Sequence, residues 1–223
     1  MEARTESVVT SSATARPMAV RHPHLYLENE EGTVTILVED TLFKIHEYFL
    51  KHYSESFSAM LSLPAGNAPV EGRSDELPIQ LPQQVKAANF ERFLYLFYPK
   101  SVLHGDITTL DDWKSVLQIA DQFMFEQHRE LAIQRLESLA TPIDRIVLSR
   151  QYDIKQWLEK AYYDLCTREE PLTLDEGERL GMADVIAIAG LRQRIRGSIA
   201  TPPEGIVWYI HRALEAPSRL GQA

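Results

Sequence analysis

The sequence predicts an α+β fold in which a small β-sheet is flanked by α-helices and followed by an all-α C-terminal extension. Three observations predict this fold. Two short runs rich in β-branched and apolar residues lie at 34–38 and 42–45. From His46 onward, apolar residues instead recur at three- and four-residue steps, which is the period of an amphipathic helix. Beyond residue 140 the helical pattern continues without further strand signals.

The first element is a predicted β-hairpin. The run Val34–Val38 is short enough to be a buried strand, and Leu42–Ile45 resumes an extended apolar pattern. The polar, turn-prone pair Glu39-Asp40 separates the two runs. A tight turn between two such runs indicates a hairpin, although this turn lacks the glycine of the strongest hairpin signal.

A broken pair of short helices is predicted to follow the hairpin. Its apolar stripe consists of Phe49, Leu50, Tyr53, Phe57, Met60 and Leu61. Ser54 stands where a second short helix would begin, and its hydroxyl can accept a hydrogen bond from an orphan backbone N–H. We therefore expect Ser54 to be the N-cap of the second helix.

The order and spacing of these residues resemble the signature of the BTB (POZ) domain, a protein-interaction fold. The matching residues are Phe43, His46, Leu50, Ser54, Phe57 and Met60. The run 90–98 also looks like the family's third helix, which typically ends in an aromatic pair. The resemblance covers roughly residues 25–139, and the helices beyond it look like the tail of many fungal BTB proteins. It implies a BTB/POZ domain over residues 22–140 in which the six matching residues are structural.

The remaining elements of this domain follow in order. Residues 62–77 are rich in Pro, Gly and Ser, which predicts a mobile loop, and residues 78–82 predict a short edge strand bracketed by prolines. A helix ending before Pro99 carries Phe90, Phe93, Leu94 and Phe97 on one face. The next helix has Thr109 as its expected N-cap. Its predicted stripe is Trp113, Val116, Leu117, Ala120 and Met124, and a further helix follows to about residue 139.

The pair Thr141-Pro142 marks a boundary, because proline is well placed in the first turn of a helix. We predict a helical extension over residues 141–216. Thr173 begins a capping-box pattern within it, and a helix from Met182 is expected to turn Val185, Ile186 and Ala189 inward. Residues 1–21, which are rich in Ser, Thr, Ala and Arg without periodicity, and residues 217–223 are predicted to be disordered.

Composition argues against several classes of protein. The 223 residues include one cysteine, Cys166, so an internal disulfide cannot form, which fits a reducing cytoplasm or nucleus. The formal net charge of −9 argues against broad binding to a phosphate backbone. The apolar runs are all shorter than a membrane span. We therefore expect a cytoplasmic or nuclear protein that binds neither nucleic acid nor membrane.

The sequence offers no arrangement of residues typical of catalysis or of a cofactor site. Gly66 and Gly72 lack the lysine and the spacing of a phosphate-binding loop. Cys166 lies beside a strong helical stripe, where a lone cysteine is usually a small buried hydrophobe. His22 and His24 flank a proline and are expected to be exposed loop residues rather than metal ligands. We predict no enzyme, no cofactor and no metal.

The resemblance implies a protein–protein interaction module that self-associates as a homodimer. In BTB dimers the early helix contributes to the interface, and here that helix carries Tyr48, Phe49 and His52, which we predict to be interface residues. For Phe49, a place in the core is an equal alternative. The stretch 25–27 predicts a short strand, and in several BTB families such a segment crosses to the partner, so a role in dimer formation is open.

Two other functions remain as alternatives. Many BTB proteins are substrate adaptors for cullin-based ubiquitin ligases, so a cullin or another BTB protein is a candidate partner. The apolar-x-acidic motif of such adaptors is absent from residues 61–77, which weakens this hypothesis. A transcriptional regulator is a weaker alternative. Many animal BTB repressors carry an acidic residue at the start of the first strand and a basic one after the histidine, where this chain has Thr33 and Glu47.

Overall fold

The computed structural model describes residues 19–28, 30–63, 69–101, 105–197 and 203–215. Contacts between residues divide the chain into two compact units, residues 1–100 and 101–223, and each is described by itself. This division falls after Lys100, within the predicted domain 22–140, whereas the predicted boundary with the extension lies at 140. The predicted class, a small sheet followed by helices, is confirmed.

The first unit contains the sheet. Its elements are β1 (Val20–Tyr26), β2 (Thr33–Val38), β3 (Thr41–His46), α1 (Glu47–Tyr53), α2 (Glu55–Leu61), β4 (Ile79–Gln80) and α3 (Ala87–Leu94). The strands lie in the order β1-β3-β2-β4. β2 and β3 are antiparallel, whereas β1 pairs in parallel with β3 and β4 in parallel with β2. The predicted strand between prolines is therefore one edge of the sheet, and β1 is the other.

The predicted hairpin is confirmed, with Val38 paired to Thr41 across the turn. Glu39 occupies the turn with a left-handed φ of 53°, a conformation that glycine usually supplies. Its carboxylate accepts hydrogen bonds from the Ala87 N–H and from Lys86 Nζ, both at 2.9 Å. These two donors hold the pKa of Glu39 below its usual value. The turn is thus connected to the beginning of α3.

The break between α1 and α2 occurs where the sequence predicted it. The Phe57 N–H donates to Ser54 Oγ at 2.9 Å, so Ser54 is the N-cap of α2, and the Phe57 ring is fully buried. Met60 does not share this environment, because its side chain is 37% exposed. A three-residue step turns Met60 about 60° away from Phe57 around the helix, and this short helix buries a narrow face. The placement of Met60 on the buried stripe was wrong.

The described part of the loop after α2 is anchored to β2. The Thr35 N–H donates to the Gly72 carbonyl at 2.8 Å, and the Gly72 N–H donates to the Leu77 carbonyl at 2.7 Å. Gly72 has a φ of +79°, and a Cβ atom there would lie 2.5 Å from Cγ2 of Val34. Glycine is therefore required at this position on two grounds. The part of the predicted mobile loop at 64–68 lies outside the described residues.

β1 begins earlier than predicted. The Val20 N–H donates to the Asp40 carbonyl at 2.7 Å, and Arg21 forms ion pairs with Glu28 and Asp75, both at 2.8 Å. Residues 20 and 21, which the sequence assigned to a disordered tail, therefore belong to the sheet. The contacts that hold them come from residues distant in sequence, which local composition does not reveal. Residues 1–18 and the predicted C-terminal tail lie outside the described residues.

The second unit is helical in its described residues. Its elements are α4 (Leu110–Gln122), α5 (Glu126–Leu139), α6 (Pro142–Tyr152), a 3-10 turn (Lys155–Trp157), α7 (Leu158–Thr167), α8 (Leu174–Leu180), α9 (Met182–Gly197) and α10 (Pro203–Glu215). Thr109, Thr141 and Thr173 each cap a helix through a capping box, so the N-caps predicted at Thr109 and Thr173 are confirmed.

Helices α6 to α10 enclose an apolar core. Its fully or nearly buried members are Ile143, Ile146, Ala161, Tyr162, Leu165, Cys166, Leu180, Ile188, Leu191, Ile206 and Ile210. Three residues that were predicted to face inward are instead exposed: Met124, Ile186 and Ala189. Met124 follows the end of α4 with a left-handed φ of 55°, so the helical stripe does not reach it. Ile186 is exposed because Ile188 and Leu191 occupy the buried side of α9.

Buried carboxylates connect helices of this unit. Asp144 of α6 accepts from Lys114 of α4 at 3.4 Å and from Arg179 of α8 at 2.5 Å. Burial would raise the pKa of Asp144, but hydrogen bonds from Thr141 and Arg179 hold it below its usual value. Asp144 thus joins a helix of the predicted domain to two helices of the extension. Asp184 of α9 is also buried, where it pairs with Arg150 and accepts from the Tyr162 hydroxyl at 3.1 Å.

Candidate interaction surface

The three residues predicted for the dimer interface all lie on α1, but their exposure differs. Glu47 and Leu50 face the interior, so positions 48 and 52, one helical turn apart, face outward. Tyr48 is 61% exposed and His52 is exposed, whereas Phe49 is half-buried. Tyr48 and His52 therefore satisfy the accessibility that an interface needs, and Phe49 lies between the surface and the core.

Aromatic rings extend this surface beyond α1. We define the α1 aromatic surface as Tyr48, Phe49, His52, Tyr53, Phe97 and Tyr98. The Tyr48 and His52 rings are stacked with centroids 5.2 Å apart, and the His52 and Tyr53 rings meet edge-on at 4.6 Å. Phe49 stacks on Phe97 at 5.0 Å. The sequence placed Phe97 on the face of the third helix; the structure ends α3 at Leu94, and Phe97 instead lies against Phe49 of α1.

His46 holds Tyr98, one residue of this surface, through two hydrogen bonds. Its Nε2 lies 2.8 Å from the Glu30 carboxylate, which can only accept, so Nε2 carries the proton. Nδ1 then accepts from the Tyr98 hydroxyl at 2.9 Å, while that hydroxyl accepts from the His46 backbone N–H at 2.9 Å. Burial raises the pKa of Tyr98, which therefore stays protonated as a donor. His46 thus ties the end of β3 to the segment after α3.

The other signature residues lie in the interior, apart from Met60. Phe43, Leu50 and Phe57 are fully buried, and Ser54 is the N-cap described above. Phe43 meets Phe90 of α3 edge-on with ring centroids 5.1 Å apart. These residues join the sheet to the helices, and they position α1 so that its aromatic side chains face outward.

The two positions that form a charged pocket in animal BTB repressors have other roles in this chain. Thr33 donates its hydroxyl to the Glu30 carbonyl at 3.0 Å. Glu47 is buried and pairs with Lys51 and with Arg73, the latter at 2.9 Å. Burial would raise the pKa of Glu47, but Lys51 and Arg73 hold it below its usual value. The carboxylate is neutralised within its own unit.

The described residues contain no cluster of His, Cys, Asp and Glu able to hold a metal ion. Cys166 is buried, and burial raises the pKa of its thiol to about 11, which makes a reactive thiolate rare at neutral pH. An open groove of about 610 Å³ follows α10, and its lining among the described residues is Glu204, Val207, Trp208, His211 and Arg212. Within the described ranges, no helix has the length and apolarity needed to cross a membrane.

Comparison with known protein families identifies the fold of the first part of the chain. The family model of the BTB/POZ domain matches residues 24–138, which is just over half of the 223-residue chain. A search of curated proteins found no match. The matched range contains the hairpin, the α1 aromatic surface and the helices to α5. The chain therefore belongs to the BTB/POZ family, whose domain is a protein–protein interaction module rather than a catalytic one.

Proposed function

We propose that this chain is a non-enzymatic interaction module that self-associates through the α1 aromatic surface. The observation that carries the proposal is the Tyr48 side chain, which is 61% exposed and stacked on the ring of His52. Tyrosine is enriched at the centres of protein interfaces, because it buries a large rigid area and keeps a polar tip. A second copy would cover the two rings with the same pair from its own α1.

Charge supports this choice of surface. The chain carries a formal net charge of −9, so two copies repel each other at long range. The α1 aromatic surface brings together rings rather than carboxylates. Glu47, the acidic residue of α1, is buried and paired with Lys51 and Arg73. Two copies can therefore approach at this surface with less repulsion than the net charge implies.

The test is the mass of the full chain in solution, measured by light scattering over a wide range of concentration. We expect a dimer that becomes a folded monomer when Tyr48→Glu and His52→Glu are combined, because both side chains are exposed and their replacement leaves the core intact. Leu174→Glu is the matched control, since Leu174 is 80% exposed in the first turn of α8. A monomeric parent chain, or a double variant that stays dimeric, would refute the proposal.

A second candidate is a substrate adaptor for a cullin-based ubiquitin ligase. The observation that favours it is a set of exposed apolar side chains on both sides of residues 64–68, in the loop where such adaptors carry their motif. Leu63 is 73% exposed, and Met60 and Val70 are also exposed. Light scattering with a purified cullin N-terminal domain tests this function. We expect a complex that Leu63→Glu weakens; an unchanged mass on mixing would exclude it.

A further inference from the structure

His22 is buried, although its place beside a proline led us to expect an exposed loop histidine. Only 8% of the residue is accessible, and its ring stacks on Phe43 of β3 with centroids 4.8 Å apart. Its Nδ1 accepts two backbone hydrogen bonds, from the His24 N–H at 3.2 Å and from the Leu25 N–H at 3.0 Å. The ring therefore organises the irregular middle of β1, where the pairing with β3 shifts register.

The other ring nitrogen faces α3. Nε2 lies 3.4 Å from the Glu91 carboxylate, which also pairs with Lys100 at 3.2 Å and accepts from the Tyr95 hydroxyl. His24 lies edge-on to His22 on the same strand. Because Nδ1 accepts from two N–H groups, the neutral ring must carry its proton on Nε2, directed at Glu91. A neutral histidine fits every one of these contacts.

A protonated His22 ring would not be compatible with the two backbone hydrogen bonds to Nδ1. A second ring proton turns Nδ1 from an acceptor into a donor, and the N–H groups of His24 and Leu25 then lose their shared acceptor at a buried site. Burial lowers the pKa of His22, and Lys100 and His24 act in the same direction, while Glu91 opposes them. A strand that has left the sheet exposes His22 to water, binds the proton more readily and is therefore favoured by acid.

We propose that His22 is a pH-sensitive latch for β1: the neutral ring holds the strand on β3, and protonation releases it. β3 is paired with β2 on its other side, so release of β1 leaves the outer N–H and C=O groups of β3 unpaired. Such an edge is a template for an extended segment of another chain. The latch does not depend on self-association through the α1 aromatic surface.

The other contacts of β1 do not change between neutral and mildly acidic pH. Asp75 binds Arg21 and the Tyr26 hydroxyl, and although burial opposes it, these donors hold the pKa of Asp75 below its usual value. Burial and the bond to Asp75 raise the pKa of Tyr26 to about 12. Glu91 likewise has a lowered pKa, because Tyr95 and Lys100 outweigh its burial. An acid-dependent release of β1 in this pH range is thus assigned to His22 once His24→Asn has excluded the other histidine of the strand.

Amide hydrogen exchange of the full chain, corrected for intrinsic rates, tests the latch at about pH 7.5 and about pH 5. We expect protection in β1 and on β3 to fall about tenfold at the lower pH, through the loss of one buried and one partly buried hydrogen bond. His22→Asn should remove this dependence, because the amide oxygen can accept the same N–H groups without titrating. His24→Asn, at an exposed histidine next to the latch, should behave like the parent chain.

Two results would overturn the proposal: protection of β1 that does not depend on pH in the parent chain, or an equal loss in His22→Asn. If His22→Asn does not fold, an NMR titration of the parent chain decides instead. The His22 ring should titrate below its usual pKa, and the β1 amides should shift in step with it. Titration at or above the usual histidine value, or β1 amides that do not follow the ring, would refute the latch.

Discussion

Replacement of Phe57 by alanine should remove a large part of the stability of the first unit. The ring is fully buried beneath α2. Losing the transfer free energy of the ring costs about 1.5–3 kcal/mol. A residual cavity of roughly 80 Å³ adds about 2 kcal/mol at ~24 cal/mol per Å³. We therefore expect Phe57→Ala to lower the free energy of unfolding by about 3–5 kcal/mol, the range observed for buried aromatic residues.

Urea denaturation followed by far-UV circular dichroism measures this change, and Met60→Ala in the same helix is the matched control. Met60 is 37% exposed, so its truncation should cost less than about 1 kcal/mol. The two variants therefore compare two residues of the family signature that lie in the same helix but differ in burial. A loss below about 1 kcal/mol for Phe57→Ala, or equal losses for the two variants, would show that the reasoning from burial is wrong.

Three further predictions concern the second unit. Asp184→Ala should lower the free energy of unfolding in urea by about 2–4 kcal/mol, because it removes the carboxylate that neutralises Arg150. The value lies towards the lower end for buried pairs, since the Arg150 side chain remains 25% exposed and keeps its hydrogen bonds to the Leu180 carbonyl and the Tyr162 hydroxyl. A loss of free energy of unfolding below about 0.5 kcal/mol, as for an exposed substitution, would contradict this prediction. Cys166 should react slowly with a thiol reagent in the folded protein and rapidly in denaturant, since burial raises its pKa to about 11; fast reaction of the folded protein would refute its burial. The hydrogen bond from Arg168 lowers the pKa of Glu176 from 4.5 to about 2. Its stabilisation is therefore present above about pH 4.5 and lost as the pH falls towards 2, so the stability difference between the parent chain and Glu176→Gln should shrink over that range; a difference that does not depend on pH would count against the pair.

Local sequence patterns predicted the hairpin, the break at Ser54 and the capping threonines, because each depends on residues within a few positions of one another. The hydrogen bonds that define a turn or a helix cap join residues only about two to four positions apart. The sequence likewise placed Tyr48 and His52 on one short helix, but it did not predict that their rings stack. These features needed no knowledge of how distant parts of the chain meet.

The errors arise where distant residues decide the outcome. Periodicity places Ile186 on an apolar helix, but it does not say which side of that helix meets a neighbour, and Ile188 takes the buried side. His22 stands next to a proline, a typical loop signal, yet Phe43 and Glu91 enclose it. The neutralisation of Glu47 by Arg73 likewise joins residues 26 positions apart. The position of His22, three residues before Leu25, offered no local signal of its burial.

Gly72 shows how little composition says about tolerance to mutation. The segment around it, rich in small and polar residues, is the kind in which random variation is usually harmless. Even alanine at this site would combine a left-handed backbone with a methyl group 2.5 Å from the Val34 side chain, so β2 and the segment that binds it would have to separate. In a saturation scan scored by abundance, position 72 should therefore stand out against exposed neighbours such as Glu71, and inherited changes there would act as loss-of-function alleles.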